Sequence, residues 1–278
     1  MAAGLVLGAV LSVQLGAAAA TTLFDDVGPV GAVLYRLLFA AIVLLAIWWP
    51  RLRGTDRRAL ALAATFGVSL AGMNLCFYEA LDRIPLGIAV TLEFVGPLAV
   101  ALAASRRALD LAWVALAAVG ILLLTRPSGE AEAAGVAFAL AAGAFWGAYI
   151  LLSARVGRSF PGGTGLALAM AVAAALMAVP GGVAAGGALL EPETAAIGAA
   201  VALLSSAIPY SLELEALRRL AVGTFGVLMS LEPAVAALVG LVALSQGLAA
   251  IELLGIALVI AASAGALREP GAPAPREP

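Results

Sequence analysis

The chain has 278 residues, 64% of them hydrophobic and 12% charged, with a mean hydropathy of +1.10. A soluble domain carries about 25% charged residues, and the apolar residues here fall in blocks of about 20, the length of a bilayer-crossing helix. All 15 basic residues are Arg; the absence of Lys and His excludes a Walker A loop, a Ser–His dyad, an HExxH zinc site and an imidazole proton relay.

Cys76 is the single cysteine, so no intrachain disulfide forms. The net charge of −2 says little for a membrane chain, whereas the placement of the charges is informative. A membrane β-barrel would show alternating segments of about ten residues, and none is present. No catalytic residue, metal or cofactor is expected.

The first stretch, MAAGLVLGAVLSVQLGAAAA, has the small residues of a signal peptide but lacks a positive n-region, and similar segments follow it. It reads as the first membrane helix. In chain order the apolar runs fall at about 4–24, 28–49, 59–80, 85–104, 110–125, 134–153, 163–183, 194–215, 221–243 and 248–267. Their connections are short and charged, leaving no room for a soluble domain. The tail from Arg268, REPGAPAPREP, is Pro-rich and is expected to be disordered.

Arginine sets the orientation. Arg51, Arg53, Arg57, Arg58, Arg106, Arg107, Arg155, Arg158, Arg218, Arg219, Arg268 and Arg276 follow the even-numbered spans, whereas the alternate loops hold Arg83 and Arg126 but carry Asp25, Asp26, Asp82, Glu130, Glu132, Glu191 and Glu193. This bias of 12 to 2 places both termini in the cytoplasm by the positive-inside rule.

The chain repeats itself. EALDRIPLGIAVTLEFVGPLAV (79–100) aligns with EALRRLAVGTFGVLMSLEPAVA (215–236) at an offset of 136, matching Glu79 with Glu215, Arg83 with Arg219, Gly87 with Gly223 and Pro97 with Pro233. Each half then holds five spans. Because five is odd, the second half enters the membrane inverted, an arrangement that puts transport sites near the midplane between repeats. The expectation is an all-α polytopic membrane protein of ten transmembrane helices, built from two inverted five-helix repeats (1–130 and 131–267) and a cytoplasmic tail (268–278).

Ionisable residues inside a bilayer are costly and tend to be functional. Arg36 in span two, Glu93 in span four and Glu232 in span nine come to comparable middle depths in this topology. Pro97 and Pro233 are expected to kink their helices; Pro97 frees the carbonyl of Glu93, and Pro233 that of Met229. Glu93 lies four residues before its proline and Glu232 one before, so the acids sit about 60° apart around the kinks and can face one cavity. The alternative roles are hydrogen bonding to a neighbouring helix or a static bridge to Arg36.

An arginine and acids in one cavity suit a zwitterion: the guanidinium forks onto a carboxylate while an acid takes the ammonium. Desolvation favours a neutral carboxyl and a nearby guanidinium an ionised one, so either glutamate qualifies as a proton carrier. Gln14, Asn74 and Tyr210, with Ser205 and Ser206, are polar groups within spans one, three and eight, and the offset pairs Asn74 with Tyr210. Each also suits plain helix–helix hydrogen bonding. Glu213 and Glu215 read as interfacial neighbours of Arg218 and Arg219, and the four Trp mostly as interface anchors.

The motifs PLGIAV, LEF and GPLAVAL in 85–102, with GTFG, LMS and EPA in 223–234, closely resemble the threonine/homoserine exporter branch of the EamA group. That group lies in the drug/metabolite transporter superfamily, and the resemblance runs from QLGAAAATTLF (14–24) through the tenth span. It implies a bacterial inner-membrane carrier that exports small metabolites in exchange for protons, with Glu93, Glu232 and Arg36 as its motif residues. Two departures stand out: Thr21 replaces an expected lysine near the end of span one, and Ser245-Gln246 replaces a frequent Gly-Glu.

The function expected is therefore a proton-coupled exporter of small amino acids such as threonine or homoserine, with a central site lined by spans one to four and six to nine. Its partners are a small zwitterionic metabolite, protons and lipid, with no nucleic acid; a homodimer is one further arrangement open to it. Rival readings are a carrier of sugars, nucleotide sugars or aromatic compounds on the same fold, and a membrane-embedded enzyme acting on lipid.

Overall fold

Hydrocarbon offers no partner for a backbone N–H or C=O, so a chain this apolar folds into helices that satisfy both internally. A computed structural model describes residues 2–50, 55–104, 110–124, 130–217, 219–220 and 222–267. The expected disordered tail lies outside these residues, as do Arg51, Arg53, Arg106, Arg107, Arg126, Arg218, Arg268 and Arg276 of the orientation argument.

The helices are α1 (Ala2–Thr21), α2 (Phe24–Ile47), α3 (Arg57–Leu81), α4 (Leu86–Glu93), α5 (Val95–Ala104), α6 (Asp110–Leu124) and α7 (Glu130–Ser159). After them come α8 (Thr164–Ala185), a 3₁₀ turn (Gly186–Leu190), α9 (Pro192–Ala202), a π-helical turn (Leu203–Ala207) and α10 (Ile208–Leu217). The last three are α11 (Val222–Met229), α12 (Glu232–Ala243) and α13 (Ala250–Leu267). Gly28, at φ 66°, lets the chain turn just before Pro29, so the regular part of α2 starts on a proline.

These helices form ten segments in the order expected, but the segments are not ten uniform rods. Among the described residues six are long and apolar enough to cross a membrane: Ala3–Thr21, Phe24–Ile47, Arg57–Leu81, Glu132–Ser159, Thr164–Leu190 and Thr224–Ala243. Leu86–Val100, Ala112–Leu124 and Ala250–Ala266 are shorter apolar helices, and the π-helical turn interrupts the eighth segment.

The helix pairings have the pattern that two inverted repeats produce. α2 packs on α8, α4 on α12 and α6 on α13, each joining equivalent segments of the two halves. The contact of α3 with α7 is matched by that of α10 with α1, and α3 with α8 by α9 with α2. The repeated EALxR motif forms the same i,i+4 ion pair in each half, Arg83 with Glu79 and Arg219 with Glu215. The chain leaves both motifs by the same turn: Arg83 and Ile84 N–H donate to the Ala80 carbonyl, and Arg219 and Leu220 N–H to that of Ala216.

Small residues let the helices approach without a hydrophobic driving force. Where α6 crosses α13, a Cβ on Gly120 would lie 2.8 Å from the Gly255 carbonyl oxygen, and one on Gly255 would lie 3.0 Å from that of Gly120. Gln246, one of the departures, also ties the halves together: its Oε1 accepts from the Leu86 N–H at 2.9 Å, capping the start of α4. Its neighbour Ser245 has φ 55°, a region that favours glycine.

The tightest crossing is that of α5 on α7, where a Cβ on Gly96 would come within 1.8 Å of the Gly143 carbonyl oxygen. Backbone on both sides leaves no room to yield. Gly96→Ala is therefore expected to lower the apparent Tm of the detergent-purified protein by at least the several degrees that about 1–3 kcal/mol of overpacking implies. Gly157→Ala, where a Cβ meets nothing within 4 Å, should leave the Tm unchanged; thermal unfolding of the two variants side by side checks the contrast.

Candidate functional site

Both proline-bearing segments break before the proline. α4 ends at Glu93 and α5 begins at Val95; α11 ends at Met229 and α12 begins at Glu232. Pro97 has no N–H to offer the Glu93 carbonyl, and α7 covers that oxygen instead: a Cβ on Gly143 would lie 2.6 Å from it. Glu93 thus closes one half-helix and Glu232 opens another. Broken helices of this kind line the binding sites of secondary transporters.

The breaks face a cavity of about 160 Å³ between the repeats. Gln14, Arg36, Asn74, Glu93 and Glu232, predicted from separate spans, all line it. Tyr210 lies on α10, and its side chain is outside the described residues. Of the eight spans expected around the site, seven contribute; α8 supplies no lining side chain and packs behind α2 and α3.

Gln14 is 1% exposed and its Nε2 donates to Glu232 Oε1 at 3.1 Å. Arg36 lies with its guanidinium carbon 5.6 Å from the centre of the Tyr78 ring, and its Nη2 donates to the Ser205 carbonyl at 3.5 Å. The π-helical turn presents that carbonyl, as such turns often do at functional sites. Asn74 Nδ2 donates to the Leu70 carbonyl at 2.8 Å. Glu93 is buried and feels the charges of both Glu232 and Arg36. No ion pair joins Arg36 to either glutamate among the described residues, which removes the static bridge.

Four buried polar atoms in the lining have no hydrogen-bond partner: Gln14 Oε1, Asn74 Oδ1, Ser205 Oγ and Glu232 Oε2. A buried acceptor without a donor costs about 1–3 kcal/mol. The cavity therefore holds acceptors waiting for donors, beside one guanidinium.

The sequence reading missed part of the lining. Trp146, Tyr149 and Phe77 form aromatic walls, and Trp146 is in the cavity rather than at an interface. Glu213 also lines it, whereas Glu215 pairs with Arg219 as expected. The signal was present: Asn74 and Phe77 share a face three residues apart, and the 136-residue offset carries that spacing to Tyr210 and Glu213. Thr21 spends its hydroxyl on the Ala18 carbonyl of its own helix and is not among the residues lining the cavity.

An all-helical bundle with a polar cavity between inverted halves defines a membrane carrier. The chain belongs to the EamA-like transporter family, whose profile matches it twice, over residues 1–126 and 133–268. It is thus a small-metabolite transporter of the drug/metabolite superfamily, a multi-pass protein of the bacterial inner membrane, and not an enzyme.

Among its relatives is the threonine/homoserine exporter RhtA of Escherichia coli (strain K12), 45% identical over 266 residues, 94% of this chain and 89% of that protein. RhtA of Salmonella typhimurium (strain SL1344) is 44% identical over 261 residues, 92% and 88% of the two chains. A crystal structure at 20% identity superposes with a TM-score of 0.60 and covers 95% of each chain, a likeness of fold.

The Gln14–Glu232 bond gives the site a direct test. Gln14→Leu removes the one hydrogen bond described to the Glu232 carboxylate and is expected to weaken ligand binding about tenfold. Intrinsic fluorescence reports it, because Trp146 lines the cavity; Trp146→Phe should remove most of the ligand-induced change.

Proposed function

We propose that this protein is a proton-coupled exporter of small amino acids such as threonine or homoserine. One observation carries the reading: Arg36, Glu93 and Glu232 share a cavity with four unpartnered polar atoms and no direct ion pair. The guanidinium suits a substrate carboxylate, and the acids and orphaned acceptors suit an ammonium and a hydroxyl. The volume, about 160 Å³, is close to the roughly 150 Å³ that holds one benzene-sized molecule. This favours a small amino acid over a nucleotide sugar. The two threonine/homoserine exporters among its relatives point the same way.

In this reading all ten segments cross the bilayer, with both termini in the cytoplasm. The two units, 1–130 and 131–267, rock about the cavity so that it opens to one side at a time. Asn74, Gln14 and Tyr210 bind or orient the substrate, and the kinks at Pro97 and Pro233 let the half-helices move. Protonation of Glu93 or Glu232 from the periplasm exchanges with substrate release outward. The aromatic walls, Phe77, Trp146 and Tyr149, favour one second reading, a carrier of aromatic compounds.

The test is efflux from proteoliposomes preloaded with labelled homoserine. An acidic exterior should accelerate efflux by the wild type, because protons entering exchange for substrate leaving. Glu93→Gln removes a proton site while keeping shape, and should abolish that acceleration; acceleration undiminished in the variant removes Glu93 from the coupling. Preloading with threonine, phenylalanine or glucose separates the substrate classes, and transport of phenylalanine alone would establish the second reading.

A further inference from the structure

The acids around the cavity are distributed unequally between the two repeats. Along the 136-residue offset Glu213 corresponds to Phe77, and both side chains line the cavity. The same position, met twice, thus carries a carboxylate toward one end of the bundle and a phenyl ring toward the other. Glu213 lies four residues before Leu217, the end of α10, about 6 Å of helix. Glu232 follows all of α11, ten residues beyond Val222, or about 15 Å from the same end. Glu213 therefore stands between Glu232 and the end where α10 gives way to α11.

Among the described residues no cation pairs with it. Arg219, the described arginine at that end, is paired with Glu215. The elements packed on α10, namely α1, the π-helical turn and α11, carry no charged residue among those described. The charges it faces are those across the cavity, Arg36, Glu93 and Glu232, and Glu213 and Glu232 act on each other electrostatically. The unpartnered, buried Glu232 Oε2 and Gln14 Oε1 beside it mark this region as one that takes up a polar group or a proton.

Building on the proton-coupled reading, we propose that Glu213 is the proton outlet of Glu232. The O–H bond of protonated Glu232 breaks and its electron pair stays on that carboxylate. Carried by water in the shared cavity, the proton forms an O–H bond on the Glu213 carboxylate, then passes to water at the α10–α11 end as hydronium, restoring the Glu213 anion. Phe77 offers no acceptor at the equivalent position, so this relay runs toward one end only.

The test compares wild type, Glu213→Gln and Glu213→Asp in the homoserine-loaded proteoliposomes, alongside equilibrium binding of homoserine to the purified proteins. Glu213→Gln should lose acid-accelerated efflux by about tenfold or more, and Glu213→Asp should restore most of it. Homoserine Kd should move less than about threefold in both. A Kd weakened about tenfold in Glu213→Gln would make the residue an ammonium-binding group and overturn the outlet. Unchanged acid-accelerated efflux overturns it as well, with the coupling reading intact. A wild type that transports homoserine without responding to the pH gradient refutes the coupling reading and the outlet together.

Discussion

Everything in this molecule depends on where a helix can be broken inside hydrocarbon. An unpaired backbone group facing lipid costs several kcal/mol, so an interruption survives only against protein or a polar cavity. The breaks at Phe94 and at Ser230–Leu231, and the π-helical turn at Leu203–Ala207, meet that condition. The Glu93 carbonyl is covered by the backbone of α7 at Gly143, the Ser205 carbonyl is taken by Arg36, and the N-terminus of α4 is capped by Gln246. The same breaks that need cover are what put Glu93 and Glu232 at helix ends beside the cavity.

The charges obey a related constraint. At the periphery, acid and arginine satisfy each other directly, as Glu79 does with Arg83 and Glu215 with Arg219. Inside, Arg36 is held by a ring and a carbonyl, and Glu232 by an amide, with no acid–arginine contact. A buried ion pair would close the site on itself, because its partners would have no reason to release each other for a ligand. Weaker neutral partners keep the guanidinium and the carboxylates available.

The pseudo-symmetry is therefore strong in the scaffold and weak in the cavity. The ion pairs, the turns after them and the eight-residue half-helices α4 and α11 coincide at an offset of 136. The lining does not: Glu93 corresponds to Met229, Glu232 to Gly96, and Glu213 to Phe77. Scaffold residues obey the same packing rules in both orientations. Cavity residues are free of that shared constraint, and there the two copies have diverged.

The sequence by itself determined the solvent of the chain, the order of its helical segments and the repeat, and it singled out Gln14, Arg36, Asn74, Glu93, Ser205 and Glu232, which line the cavity. Hydrophobic block length, charge scarcity and proline position are local properties, and a charge inside an apolar block has few places to go. Glu213 was signalled only by its offset from Phe77, and Trp146 and Tyr149 were not legible in that way, because an aromatic ring in a membrane helix serves equally as an anchor or as packing. Which acid meets which amide, and that Arg36 stacks on Tyr78 rather than pairing with Glu93, is decided by residues far apart in sequence. Only the tertiary structure brings those helices within hydrogen-bonding distance, since rotation and depth of each helix are set by its packing against the others.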